Sequence, residues 1–115
     1  MTNENASSGP ILRLFQVHTK HGRAKELMSK FETVSADVVL GHPGNLGYFF
    51  GEGTTPDEDY VVFASVWRDL DAVKNRFGED WQSSHLPPGY QDLIEECSVK
   101  HLNIGGGWRI DMQSG

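Results

Sequence analysis

The stretch Tyr60-Val61-Val62-Phe63-Ala64-Ser65-Val66-Trp67 is apolar at every position except Ser65. Side chains alternate across a strand, so Val62, Ala64 and Val66 oppose Val61, Phe63 and Trp67, and both faces need covering. Directly after it, Asp69 stands where a helix N-cap carboxylate accepts from free backbone N–H groups, and Asp71 adds favourable charge to the first turn. Leu70, Val73 and Phe77 then recur at helical spacing until Gly78 interrupts the stripe.

Upstream, residues 46–51 are aromatic-rich and read as a strand, and the polar loop 51–59 makes a hairpin into Tyr60 the simplest connection. Residues 11–18 read as a further strand, with Ile11, Arg13, Phe15 and Val17 on one face and Leu12, Leu14, Gln16 and His18 on the other. From about Arg23, the residues Ala24, Leu27, Met28, Phe31, Val34 and Val38 predict one continuous amphipathic helix, stopped by Gly41-His42-Pro43-Gly44. Downstream, a short helical piece is expected over 90–96 around Leu93, and a last strand over 97–104. The order strand, helix, strand, strand, helix, strand is that of the α+β ferredoxin-like fold, a four-stranded antiparallel sheet with helices on one face. The other face would then show more apolar surface than a lone chain carries, which predicts a homodimer with two sheets packed face to face.

The 115 residues suit one domain, with residues 1–9 expected as a disordered tail and 106–115 as a C-terminal tail in which Trp108 and Ile110 could dock. Formal charge is −6, from 16 acidic against 10 basic residues, so phosphate backbones are repelled and no nucleic-acid partner is expected. No run reaches membrane-span length and the first residues are too polar for a signal peptide. Cys97 is the single cysteine, which fits a reducing compartment, and a cytoplasmic location is expected.

Val66-Trp67-Arg68-Asp69 leading into a helix, Gly22-Arg23-Ala24 opening the first one, and a histidine in the turn at His85 resemble the antibiotic biosynthesis monooxygenase family over about residues 10–105. The resemblance implies a dimeric α+β barrel. It also implies a cofactor-independent oxygenase of an electron-rich aromatic, polyketide or quinol-type molecule. The family's haem-degrading branch carries an Asn, a Trp and an iron-ligating His. Here the first two positions fall on or beside Phe15 and Arg76, and only His85 matches, which argues against haem degradation. A haem-binding protein and a non-catalytic dimeric module that binds a small molecule stand as alternatives.

Without flavin or metal, dioxygen needs a substrate that donates an electron as an anion, and the protein must deprotonate it and keep it dry. His85 suits that acid–base role, since an unperturbed imidazole titrates near neutrality. Phe15, Tyr48, Phe63, Trp67 and Trp81 are the candidate aromatic walls of a substrate pocket, and Arg13 or Gln16 could orient a carbonyl or phenol oxygen. The histidines are too scattered for a metal site, so no metal and no cofactor are expected. His101 on the last strand is expected to be half-buried and hydrogen-bonded.

Overall fold

The computed structural model of the chain describes residues 9–55, 57–84 and 86–104. His85 lies outside the described residues, as do 1–8 and 105–115, which carry the two expected tails. Strands β1 (Ile11–Thr19), β2 (Asn45–Glu52), β3 (Tyr60–Trp67) and β4 (Ile94–Asn103) form one antiparallel sheet in the order β2-β3-β1-β4. Helices α1 (Ala24–Lys30), α2 (Ala36–Val39) and α3 (Leu70–Phe77) complete the predicted ferredoxin-like α+β fold. No helix of the described chain is long and apolar enough to cross a membrane.

The central strand β3 has the bounds its apolar run predicts. Its pairing sets the rows of the sheet: Tyr48, Ser65, Arg13 and His101 align across the four strands, and Phe50, Phe63, Phe15 and Val99 form the next row on the same face. Leu27, Phe31 and Val39 from the helices meet Val17, Val61, Phe63 and Trp67 from that face to make the core. At the start of α3 the Asp69 carboxylate accepts from the Ala72 N–H at 2.9 Å, a cap that contributes about 1 kcal/mol. Gly44, at φ +87°, lets the turn before β2 pass so close to α3 that a Cβ there would lie 2.4 Å from the Ala72 Cβ. Its carbonyl accepts from the Arg68 N–H at 2.7 Å, tying that turn to the end of β3.

Three local expectations need correction. The first helix is not continuously α: a π-helical turn over Phe31–Ser35 separates α1 from α2. The wide turn holds an extra residue, so the buried stripe moves from Phe31, Val34, Val38 to Phe31, Ser35, Val39, and Val34 is left 39% exposed. The segment after Tyr90 is a single 3-10 turn, Gln91–Leu93, because β4 begins at Ile94, where it pairs with Thr19 beyond a bulge in β4 that leaves Glu95 with no residue opposite. Gln16, on the face opposite Arg13 as the alternation predicts, cannot join Arg13 in a pocket beneath the helices; it accepts instead from the Tyr60 hydroxyl at 3.0 Å.

That opposite side carries Leu12, Leu14, Val62, Ala64, Val66, Phe49 and Leu102, and no helix among the described residues packs against it. Phe49 and Leu102 are 42% and 45% exposed there.

Candidate active site

Strand alternation places Arg13 on the helix-facing side of β1, directly between Ser65 and His101. At 6% exposure it is the one charged residue buried among the described residues. One Nη1 hydrogen goes to the Trp81 carbonyl at 2.6 Å, the other to His101 Nε2 at 2.9 Å, and Nη2 donates to the Ser83 carbonyl at 3.1 Å. The guanidinium also lies over the Phe77 ring, 3.8 Å from its centre. Burial, and secondarily the charge of Arg76, pull its pKa down to about 10, so it remains a cation at neutral pH. Burial first, and the Arg13 charge second, push the His101 pKa down to about 4. The imidazole is therefore neutral, with Nε2 the acceptor and the proton on Nδ1. All hydrogen-bond partners of Arg13 among the described residues are thus uncharged.

Arg13 lines a cavity of about 40 Å³ between sheet and helices. Phe15, Phe63 and Phe77 supply apolar walls, and Ser35, Ser65 and Tyr90 supply hydroxyls. Three of the four buried polar residues, Arg13, Ser35 and Ser65, converge on this one space. Buried polar groups cost stability unless satisfied, and their clustering singles this space out as the candidate site. The π turn delivers Ser35, whose Oγ is 2.6 Å from the Tyr90 hydroxyl. Tyr90 in turn donates to the carbonyl of Lys30 at 3.2 Å, and burial raises its pKa, which keeps it a phenol. Ser65 Oγ accepts from Trp67 Nε1 at 2.8 Å, leaving the serine proton free to donate.

Of the residues predicted to bind substrate, Arg13, Phe15 and Phe63 line the cavity. Tyr48 sits behind it, stacked on Phe63 at 5.6 Å. Trp67 is fully buried and stands behind the cavity wall, donating to Ser65 and packing edge-on against Phe77 at 5.8 Å. Trp81 is half-buried and contributes its carbonyl to Arg13, while its ring packs edge-on against His101 at 4.9 Å. The position of His85 is outside the described residues. Ser35, Phe77 and Tyr90 were not anticipated; Ser65 carried a signal, as the lone polar residue of the apolar strand.

Two larger depressions lie elsewhere on the described residues. One, of about 310 Å³, lies among Lys25, Glu52, Glu58 and Asp59, and the other, of about 330 Å³, lies on the uncovered sheet face at Gln16, His18, Tyr60 and Glu96. Neither is lined by a buried charge, which is why the smaller space at Arg13 is the better candidate. Among the described residues no three His, Cys, Asp or Glu side chains gather as metal ligands would.

A family model described as antibiotic biosynthesis monooxygenase matches residues 10–85. No curated protein matches the chain. Among solved structures, SnoaB of Streptomyces nogalater, a cofactor-independent oxygenase, superposes with TM-score 0.61 at 17% identity, covering 84% of this chain and 94% of that one. PA3566 of Pseudomonas aeruginosa gives 0.63 at 18% identity over 84% and 95%. SO0527 of Shewanella oneidensis gives 0.65 at 16% over 83% and 90%. At such identities these likenesses establish the fold.

Proposed function

The chain belongs to the antibiotic biosynthesis monooxygenase family, and we propose that it is a cofactor-independent monooxygenase of an electron-rich aromatic, polyketide or quinol-type molecule. The observation that carries this reading is the convergence of a buried cation and three hydroxyls on an aromatic-walled cavity. A phenol or enol in that space ionises more easily beside Arg13, and its anion gains a charge-assisted hydrogen bond. The anion gives one electron to dioxygen; the resulting radical and superoxide combine to a carbon-bound peroxide. On a CH2 carbon such as that of an anthrone, loss of water from the peroxide leaves a carbonyl. One oxygen atom enters the product, the other leaves as water, and no outside reductant is consumed. His85, two residues after the Ser83 whose carbonyl Arg13 holds, is proposed as the base or hydrogen-bond donor.

The cavity as it stands holds a few water-sized groups and not an aromatic ring, so a ring enters only as Tyr90, Val39 and Phe77 move apart. A homodimer through the uncovered sheet face is part of the proposal: a second copy would cover Phe49 and Leu102, whose exposure is otherwise unfavourable.

Oxygen uptake with a panel of anthrones and quinols, with labelled dioxygen traced into product, tests this function. Turnover carrying one labelled atom, lost in Arg13→Met and His85→Ala, is expected. No turnover with any member of the panel, or full activity in Arg13→Met, refutes it.

A further inference from the structure

His101 is not required to carry charge, bind metal or fill the core, yet it stands in hydrogen-bond contact with the site's cation. It pairs with Arg13 across the β1–β4 ladder, and its ring is wedged against Trp81, whose own carbonyl accepts from the same Nη1. The Trp81 carbonyl and His101 Nε2 use both Nη1 hydrogens, and Ser83 uses one on Nη2. Among the described residues that leaves the Nε–H and the second Nη2–H. Three hydrogen bonds and the Phe77 ring hold the guanidinium, and loss of the Nε2 acceptor leaves Nη1 with the Trp81 carbonyl alone and lets the group tilt.

We propose that His101 is the positioning residue of this site: as a neutral acceptor it fixes the plane of Arg13, so that the remaining N–H groups meet a planar oxyanion in the cavity. The inference rests on the reading of the cavity as the substrate site. It adds the class of group recognised, a planar oxyanion such as a phenolate, enolate or carboxylate, and the residue that sets its geometry. The charged groups on the elements packed around His101 are Arg13 on β1, Lys74 and Arg76 on α3, and Asp80 in the turn before Trp81. Protonating His101 turns the acceptor into a second cation against Arg13, so anion binding fails at low pH through geometry as well as repulsion.

The test uses nitrate, which is planar, small enough for the cavity and anionic at every pH used. Binding is read from the Arg13 Nε–H resonance in the intact chain, with chloride holding ionic strength constant. Saturable nitrate binding is expected in the wild type. His101→Phe, which keeps the ring against Trp81 but has no acceptor, should weaken binding on the order of tenfold. His101→Gln, which restores an acceptor near Nε2, should recover most of it. Wild-type affinity should fall as pH drops through about 4, while His101→Gln holds its affinity over that range. If His101→Phe binds nitrate as the wild type does, or if Gln does no better than Phe, the positioning role is refuted. If the wild type itself binds no nitrate, the fault lies with the reading of the Arg13 cavity as an anion site, and both fall together. Comparing the urea midpoints of the two variants separates misfolding from loss of geometry.

Discussion

Replacing Phe49 with Asp tests the proposed use of the uncovered sheet face. Phe49 is 42% exposed, and a Phe side chain carries roughly 200 Å². Covering what remains would remove about 85 Å² from water, about 2 kcal/mol at about 25 cal/mol per Å². A two-fold interface counts the residue twice, so Phe49→Asp should cost the dimer about 4 kcal/mol, roughly a thousandfold in Kd. Burying the new carboxylate would add to that, so the value is a floor. Val34→Asp is the matched control: Val34 is 39% exposed, but on the helical side of the molecule, away from the sheet face. Sedimentation velocity over a concentration series measures both variants. The expected result is a micromolar or tighter dimer for the wild type and Val34→Asp, and a monomer for Phe49→Asp. A monomeric wild type at micromolar concentration, or equal Kd values for the two variants, refutes the reasoning.

Gly44→Ala should lower unfolding free energy by at least about 2 kcal/mol, because it forces a side chain into φ +87° and onto the Ala72 Cβ. An unchanged urea midpoint would contradict that packing. The depressed pKa of His101 gives a pH signature. The unfolded chain takes up the proton near 6.5 and the folded chain only near 4, so stability is full above 6.5 and declines as pH falls toward 4. Allowing for the part of the ring near water, the loss is about 2 kcal/mol. His101→Gln should flatten that portion of the stability–pH curve, and superimposable curves for the two proteins would argue against a buried neutral imidazole.

Much of the scaffold was legible because it follows from repeating patterns. The apolar run of β3 gave its bounds, Asp69 gave the start of α3, and the alternation in β1 put Arg13 on one face with Ile11, Phe15 and Val17. The features that were not legible depend on contacts between distant segments. The π turn is a tertiary event: Phe31 to Ser35 read equally well as α-helix until Tyr90, far along the chain, meets Ser35 and Lys30. The start of β4 at Ile94 likewise depends on its pairing with Thr19, which local propensity does not encode. Arg13 stood out as a polar residue on an apolar strand, but its neutral partners come from Trp81, Ser83 and His101, and spacing could not bring those together.

The wide turn in the first helix acts as a frameshift in three dimensions. Each residue of an α-helix turns the chain by about 100°, so one residue added or removed within that short segment rotates one part of the helix against the other by that amount, a change the loop at its end can absorb. The sheet, the Asp69 cap and the guanidinium would be untouched, while a different side chain would replace Ser35 at the cavity wall. A single-codon insertion or deletion there is thus a route by which selection can exchange one wall group for another without rebuilding the scaffold.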